Sequence, residues 1–401
     1  MTAAANGLRT GRSQLIALAG AGVAVAAILL NIGFFLRPGV LDVLGGLAQH
    51  AFVLGLMLLL TSGSRTVSLS TLGIFWLVGV WGVFGLAYLL ESQLASLLGV
   101  DIGEFVSVWL APGVEEPLKL APVAMFLLLA ARRGHQPSMS DGLMLGFMVG
   151  AGVSFHEDAH AGEILVSGDG WGAALPWSLI FPTISPVGEY FALNHALWGA
   201  LSGLSIGAAV MLRHWRWAWR IALVGPLLAF TNHSLTNHYV IGEGVPWFFE
   251  TIGFVTLGGR LPMLALIGGA VAVVVAEARI LRWVGQRDRM FPSLPSSRFL
   301  GMIAHATSRS RAAQLLAADH YMRLRRSLYF AAWRTRRAGG YPDVSDGDYV
   351  TLMTLAGGLG LLSDVEDPAG ASPPEPALEA GAAAQAGGSS AQPEASPPDV
   401  S

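Results

Sequence analysis

The sequence contains no cysteine, a single lysine and few charged residues of either sign. Charged residues make up 13% of the 401 residues and hydrophobic residues 53%, whereas a soluble domain usually has about 25% charged residues. The absence of cysteine excludes a disulfide framework and thiolate chemistry. The scarcity of charge points to a membrane protein, for which we expect no nucleic acid partner.

Runs of about 20 apolar residues predict an all-α, polytopic bundle of about eight transmembrane helices, because about 20 helical residues cross the hydrocarbon core of a bilayer. The predicted spans are 14–36, 40–61, 70–92, 105–131, 141–164, 190–212, 218–241 and 260–281. Residues 171–187 are also apolar, but three prolines interrupt them. That segment is predicted to be an extracytoplasmic loop or a re-entrant segment.

The placement of arginine predicts the orientation of the bundle. Clusters of arginine fall in alternate loops between the predicted spans, and basic residues accumulate on the cytoplasmic side of membrane proteins. A count of eight spans puts every arginine cluster on one side. The sequence therefore predicts a multi-pass protein of the plasma membrane with both termini in the cytoplasm.

Two segments follow the last predicted span. Residues 282–363 are predicted to be a cytoplasmic basic helical region, since arginines interleave with apolar residues there. Such helices either lie against anionic lipid headgroups, at about 1 kcal/mol per cation, or form a small helical domain with a solvated basic face. Residues 364–401 are mainly Ala, Gly, Pro and Ser with acidic residues and no basic residue, which predicts a disordered tail.

The fourth predicted span carries the stretch GVEEPLKLAP, with Glu115, Glu116 and Lys119. A charge at the centre of a bilayer costs about 2.5–3.5 kcal/mol on insertion scales, so each such residue needs a reason. Helical spacing brings the lysine within reach of either acid. A glutamate of such a pair is suited to take a proton from water as a general base. The alternative is an ion pair that only helps helices to associate.

Three further predicted spans carry acids and imidazoles at a similar depth. Glu115 lies about ten residues from the extracytoplasmic edge of its span, Glu157 about seven, His195 about five and His233 about eight. At 1.5 Å per residue these depths differ by less than about 8 Å. Four helices are therefore expected to present ionisable groups at one level, in the outer half of the membrane.

The stretch HEDAH is a literal H-E-x-x-H, the pattern that puts two zinc ligands and a general base on one helix. Glu157 and His160 share a helical face, whereas His156 lies about 100° from Glu157. Zinc would need both histidines, a third protein ligand and an open water position. His195, His233 or a glutamate of the fourth span is a candidate third ligand, so a zinc-dependent membrane metallopeptidase stays open as an alternative.

Four stretches resemble motifs of the PrsW-type intramembrane proteases, which belong to the CAAX-protease and bacteriocin-processing superfamily. GVEEPLKLAPV resembles the motif E-E-x-x-K, and GVSFHED resembles G-F-x-x-x-E-N with two departures. NHALWGALSGLSIG is similar to the histidine motif and aligns His195 with it. HSLTN is similar to H-x-x-x-D/N and aligns His233 and Asn237. The resemblance covers 104–241 in the family's order. Neither 1–103, with spans one to three, nor the cytoplasmic tail carries any part of it, and 242–281 are predicted to form a loop and span eight.

The resemblance implies a glutamic-type intramembrane endopeptidase without a required metal or other cofactor, with the catalytic core in 104–241. In this interpretation glutamates activate a water, histidines assist proton transfer, and an asparagine stabilises the oxyanion. The candidate catalytic residues are Glu115, Glu116, Glu157, His195 and His233. The candidate supporting residues are Lys119, Asn237 and His160.

The implied substrate is a membrane-tethered protein that is cut near the extracytoplasmic side, and the family's example is a bacterial anti-sigma factor. Two interpretations of another class stay open at the level of sequence. Membrane carboxylates and histidines also relay protons in coupled transporters. A non-enzymatic scaffold with a lipid-binding cytoplasmic region is the other.

Overall fold

In the computed structural model the described residues are 51–52, 54–100, 106–133, 135–161, 185–187, 190–241, 245–286, 309–337, 346–359 and 361. The first predicted span, most of the second, most of 171–187 and the predicted tail 364–401 lie outside them. The described chain is helical apart from two short antiparallel strands, β1 (Ser185–Val187) and β2 (Tyr190–Ala192). The prediction of an all-α class is confirmed in this sense.

Nine helices follow the short helical stretch 54–61 in the described chain. The first, α1, consists of Leu69–Leu77, a π-helical turn at Val78–Val83, and Phe84–Leu98. A second π-helical turn at Val106–Leu110 leads into α2, Ala111–Arg132. The others are α3 (Met139–Ala161), α4 (His195–Met211), α5 (Ala218–Ile241), α6 (Pro246–Val255), α7 (Arg260–Gly285), α8 (Arg309–Arg337) and α9 (Asp346–Gly358).

Within the described residues, two helical segments are long and apolar enough to cross a membrane, Leu69–Leu98 and Pro246–Gly285. A third apolar helix, His195–Met211, is shorter. The count of eight spans is not confirmed and stays a prediction. Apolar side chains on α7 nevertheless separate into two faces, as expected for a helix between lipid and protein. Leu264, Ile267 and Val271 are exposed, whereas others are buried, namely Leu266, Ala270, Val273 and Ile280.

Helices α3 and α4 pack with their backbones in direct contact, and glycines make this possible. A Cβ atom built at Gly142 would collide with the carbonyl oxygen of Gly203, and one at Gly146 with that of Gly199. A Cβ atom at Gly150 would collide with the carbonyl oxygen of His195. Small residues spaced by four in this way let membrane helices approach closely. The first turn of α4 is therefore held firmly against α3.

Polar contacts fix the opposite end of the bundle. The carboxylate of Asp141, in the first turn of α3, accepts hydrogen bonds from the backbone nitrogens of Thr66 (2.8 Å), Val67 (3.0 Å) and Ser138 (2.8 Å). Ser140 donates through its backbone nitrogen (2.9 Å) and its hydroxyl to the carboxylate of Glu277, which is buried in α7. These bonds join the loop before α1, α3 and α7 at the end where arginines cluster.

Helix α8 packs on this same end of the bundle. It buries Tyr321 and Phe330 within the main core cluster, which also includes residues of α7 and α9. Arg65 pairs with Asp319 at 3.2 Å, and Arg326 donates to the backbone oxygen of Arg65 at 3.0 Å. The basic region after the last predicted span is therefore anchored to the helical core through one face of α8.

Candidate active site

Two acids and the lysine of the fourth predicted span lie together near the start of α2. Lys119 Nζ donates to Glu116 Oε1 at 2.5 Å and lies 3.6 Å from Glu115 Oε2. Glu116 and Lys119 are 2% and 1% exposed. A buried charge needs a partner of opposite sign with good geometry, and the spacing of three residues supplies it within one helix.

His195 opens α4 and contacts three ionisable groups at once. Its Nδ1 lies 2.7 Å from Lys119 Nζ and 3.4 Å from Glu115 Oε2, while its Nε2 lies 2.6 Å from Glu157 Oε2 on α3. An ammonium group only donates hydrogen bonds, so Nδ1 must accept. The neutral ring therefore carries its proton on Nε2 and donates it to Glu157. Asn194 caps the helix by accepting from Leu197 N at 3.1 Å, which fixes where His195 starts.

His233 of α5 closes the cluster from the other side. Its Nδ1 lies 2.9 Å from Glu116 Oε1, so Glu116 Oε1 accepts from two groups. The ring of His233 stacks on Trp198, with centroids 4.1 Å apart. Trp198 Nε1 donates to Asn232 Oδ1 at 2.8 Å. This indole also lies 5.4 Å from Lys119 Nζ, so it supports both the imidazole and the ammonium group.

The exposed fraction of the glutamate side chains in the cluster decreases from Glu157 through Glu115 to Glu116. The side chain of Glu157 is 37% exposed, that of Glu115 12% and that of Glu116 3%. Oε2 of Glu115 and Oε2 of Glu116 are buried, and neither has a hydrogen-bond partner among the described residues. Buried carboxylate oxygens require donors, and a water molecule is the smallest donor that fits such a position. Glu115 is the more exposed member of this pair.

Two sequence candidates have other neighbours. Asn237 donates through Nδ2 to the backbone oxygen of Ser107 at 2.7 Å, in the π-helical turn before α2. His156 Nδ1 lies 3.1 Å from the backbone oxygen of Val80 in α1, and its ring stacks on Phe84 with centroids 3.9 Å apart. The side chain of His160 lies outside the described part of α3. The two histidines of HEDAH are thus not shown to converge.

Two residues of the cluster were missed at the level of sequence. Glu91 of α1 interacts electrostatically with Glu115, Glu157 and Lys119, and its signal was a single acid in the apolar stretch GLAYLLESQL. Trp198 lies three residues after His195, which puts both on one helical face. Its signal was the aromatic position of the HALWG stretch.

Carboxylates and imidazoles that surround a partly accessible position, within a bundle of apolar helices, are the groups needed to hydrolyse a peptide bond inside a membrane. They define a class, the intramembrane peptide hydrolases. A family model described as PrsW family intramembrane metalloprotease matches residues 68–267, and the chain belongs to that family. The matched range contains every residue of the cluster.

This match confirms the resemblance that the four motifs indicated, and with it the expectation of a peptide hydrolase in a membrane. It argues against the transporter and scaffold interpretations. A search of the curated proteins and a search of the solved structures found no match.

The family description implies a metal, and the cluster contains a set of possible metal ligands. Ligand atoms of Glu115, His195 and His233 lie within 4.8 Å of one another, which is the composition of a catalytic zinc site. However, the ammonium group of Lys119 lies 2.7 Å from His195 Nδ1. A divalent ion bound about 2 Å from that nitrogen would be in direct repulsion with the ammonium. The cluster as arranged does not leave Nδ1 of His195 to a metal, because the lysine holds that nitrogen and supplies a positive charge there.

Proposed function

We propose that the protein hydrolyses a peptide bond of a membrane-anchored protein with a water activated by Glu115, without a required metal. One observation carries this proposal. Glu115 is the less committed of the two adjacent acids, since its Oε2 makes no hydrogen bond to the described residues and lies 3.6 Å from Lys119 and 3.4 Å from His195. Glu116, in contrast, accepts from both Lys119 and His233 and is almost fully buried. Glu116 is the structural anchor of the cluster.

The reaction balances with Glu115 as the only proton carrier. The carboxylate takes one proton from water while the water oxygen bonds to the carbonyl carbon of the substrate, whose oxygen becomes negatively charged. The carbon–nitrogen bond then breaks, and the leaving nitrogen takes the proton from Glu115. A carboxylic acid and an amine are released, and Glu115 is ionised again. A positioned general base of this kind contributes about 10²–10⁴-fold in rate.

Lys119 is placed to stabilise the negatively charged intermediate. Two of its three N–H donors are used, by Glu116 Oε1 and His195 Nδ1. In this proposal the third is directed towards Glu115, whose Oε2 lies 3.6 Å away. An oriented donor in a water-poor site stabilises a developing oxyanion strongly, because it does not have to reorganise. Asn237, which the family resemblance suggested for this role, donates instead to Ser107.

His195 is proposed to orient the base and the substrate together. Its ring bridges Lys119 and Glu157, so α2, α3 and α4 are joined through one imidazole. Glu157 at the more exposed edge holds the Nε2–H tautomer, as a carboxylate does for a catalytic histidine. His233 fixes Glu116 from α5.

The proposed substrate is a protein tethered to the membrane, cut near the extracytoplasmic side. Two points support this substrate. In the predicted topology the cluster falls in the outer half of the bilayer, and the side chain of Glu157 is the most exposed of its three glutamates. A bacterial anti-sigma factor is the candidate that the family resemblance suggests.

The proposal is tested by comparing membrane-protein fragments in cells that express the wild type, Glu115→Gln or the matched control Glu250→Gln. Glu250 is an exposed acid of α6 outside the cluster. We expect at least one membrane-protein fragment to be present with the wild type and the control but absent with Glu115→Gln, at equal protein levels. Identical fragment patterns in all three strains would refute the proposed activity.

A further inference from the structure

A pocket that is separate from the cluster of acids and histidines lies at the arginine-rich end of the bundle. It has a volume of ≈ 370 Å³ and is formed by the loop before α1, the end of α2, the loop that follows it, and α8. Its basic lining residues are Arg133, His135, His320 and Arg323. No role in the proposed reaction uses any of these residues.

The charges around this pocket do not cancel. Arg323 Nε donates to Asp319 at 2.8 Å, and Arg65 shares the same carboxylate at 3.2 Å. Asp141 is already occupied by backbone donors of the loop before α1. Arg133, which lines the pocket, and Arg326 behind it are further cations. The region therefore carries more positive than negative charge before either histidine is counted.

Arg326 is a further cation of this region and lies beside Arg65. Burial, and in addition the positive charge of Arg65, lowers the pKa of Arg326 to about 10. The guanidinium is still protonated at neutral pH because this value lies well above 7. A cation that is buried beside another cation raises the electrostatic potential of the adjoining cavity.

The opposite wall of the pocket is apolar and continues onto the outer surface of α2. Phe126, Leu129 and Ala130 line it. Leu129 is 41% exposed, and Met125 one turn earlier is 61% exposed. Since α2 ends at Arg132, this wall runs from the apolar part of the helix to its charged end. A ligand that fits both walls has an anionic group at one end and a hydrocarbon chain at the other.

We propose that this pocket binds the headgroup of an anionic phospholipid, with its phosphate against Arg133 and Arg323 and an acyl chain along Phe126 and Leu129. Basic pockets between membrane helices at the cytoplasmic surface are suited to such headgroups. Two features favour a lipid over a free phosphate ion, namely the apolar wall and the position at the ends of α1 and α2. This assigns a defined site to the lipid contact that the sequence predicted only for the basic region as a whole.

The test measures binding rather than proteolysis, so it is independent of the proposed function. Full-length protein in neutral detergent is titrated with a short-chain phosphatidylglycerol, with phosphatidylcholine of the same chains, and with inorganic phosphate. The thermal unfolding midpoint is the readout, because a ligand that binds the folded state raises it. We expect phosphatidylglycerol to raise the midpoint of the wild type, and the other two probes to leave it nearly unchanged.

Three variants locate the site. Arg133→Gln removes a lining cation and is expected to weaken phosphatidylglycerol binding about fivefold, from about 1 kcal/mol per cation. Arg132→Gln is the matched control, since Arg132 is its exposed neighbour but does not line the pocket. Ala130→Phe fills the pocket without a change of charge and is expected to abolish the effect. All three positions are only partly buried or exposed, so folding is expected to persist.

Each contrary outcome overturns the proposal. Equal weakening by Arg132→Gln and Arg133→Gln would show a general surface attraction and no pocket. An equal effect of inorganic phosphate would show a phosphate-ion site rather than a lipid site. An equal effect of phosphatidylcholine, or an undiminished effect in Ala130→Phe, would show that the anionic headgroup does not occupy this cavity.

Discussion

The ammonium nitrogen of Lys119 lies 2.5 Å from Oε1 of Glu116, and both side chains are buried. Two further contacts of the cluster involve this pair. Lys119 also reaches His195, and Glu116 also reaches His233. One helix therefore carries the charges that hold α4 and α5 in register with α2.

Removal of the ammonium group of Lys119 is expected to lower both stability and activity, and only the loss of stability should be reversed when Glu116 is also neutralised. Lys119→Met leaves Glu116 as a buried charge without its main partner, and breaking a buried pair costs about 3–5 kcal/mol. The double variant Glu116→Gln/Lys119→Met removes both charges, so its unfolding midpoint should recover towards that of the wild type. Cleavage of a membrane-tethered substrate should stay absent in both. Recovered cleavage in the double variant would contradict the role proposed for Lys119.

The two adjacent glutamates should respond differently to the same isosteric change. Glu115→Gln removes the proposed base and should reduce the cleavage rate about 10²–10⁴-fold, with little change in the unfolding midpoint. Glu116→Gln weakens the bonds to Lys119 and His233 and should lower the midpoint as well as the rate. Cleavage rates and unfolding midpoints measured on the same purified samples show which of the two glutamates is the base. The reverse pattern would make Glu116 the base.

The first histidine of the H-E-x-x-H pattern, His156, should be dispensable. His156→Ala is expected to keep cleavage activity, since the ring of His156 stacks on Phe84 and its Nδ1 lies 3.1 Å from the backbone oxygen of Val80. His195→Ala, as the paired comparison, should lose it. Treatment with a chelator should leave the wild-type rate unchanged. Zinc near one equivalent per purified chain, lost in His156→Ala together with activity, would restore the zinc-dependent interpretation.

The contact between α3 and α4 should tolerate no methyl group. Gly146→Ala is expected to destabilise the protein by about 1–3 kcal/mol, because the added carbon meets the Gly199 carbonyl and the helices must separate. Gly268→Ala in α7 is the control, since nothing lies within 4 Å of its Cβ position. That change should be neutral or stabilise by about 0.5–1 kcal/mol. A thermal midpoint of Gly146→Ala equal to that of Gly268→Ala would refute the tight contact.

The sequence predicted the local part of the site well, because helical spacing alone fixes it. Glu116 and Lys119 meet at a separation of three residues, as predicted. The matched depths of Glu157, His195 and His233 predicted a common level, and these side chains do lie around one cluster. Depth depends only on the rise per residue, so it needs no knowledge of packing.

The direction of each side chain about its helix axis was not predictable in the same way. Residues 139–156 of α3 are buried on every side, so no polar face indicates which side chains meet the cluster. His156 and Glu157 are adjacent in sequence, yet only Glu157 contacts His195. Asn237 likewise carries a family motif but contacts Ser107. Glu91 was missed because it lies in the part of the chain to which no motif drew attention.

The two π-helical turns make the orientation of the following helices sensitive to the insertion or deletion of a single residue. Each turn at Val78–Val83 and Val106–Leu110 offers a main-chain oxygen to a neighbouring helix, through Val80 to His156 and through Ser107 to Asn237. A wide turn of this type holds one residue more than an α-helical turn. Deleting a single amino acid from Val78–Val83 would rotate the rest of that helix by about 100° and swing Glu91 away from the other acids. One inserted residue therefore determines the direction in which the side chains after the turn point. The pattern of apolar and polar residues along the helix does not determine it.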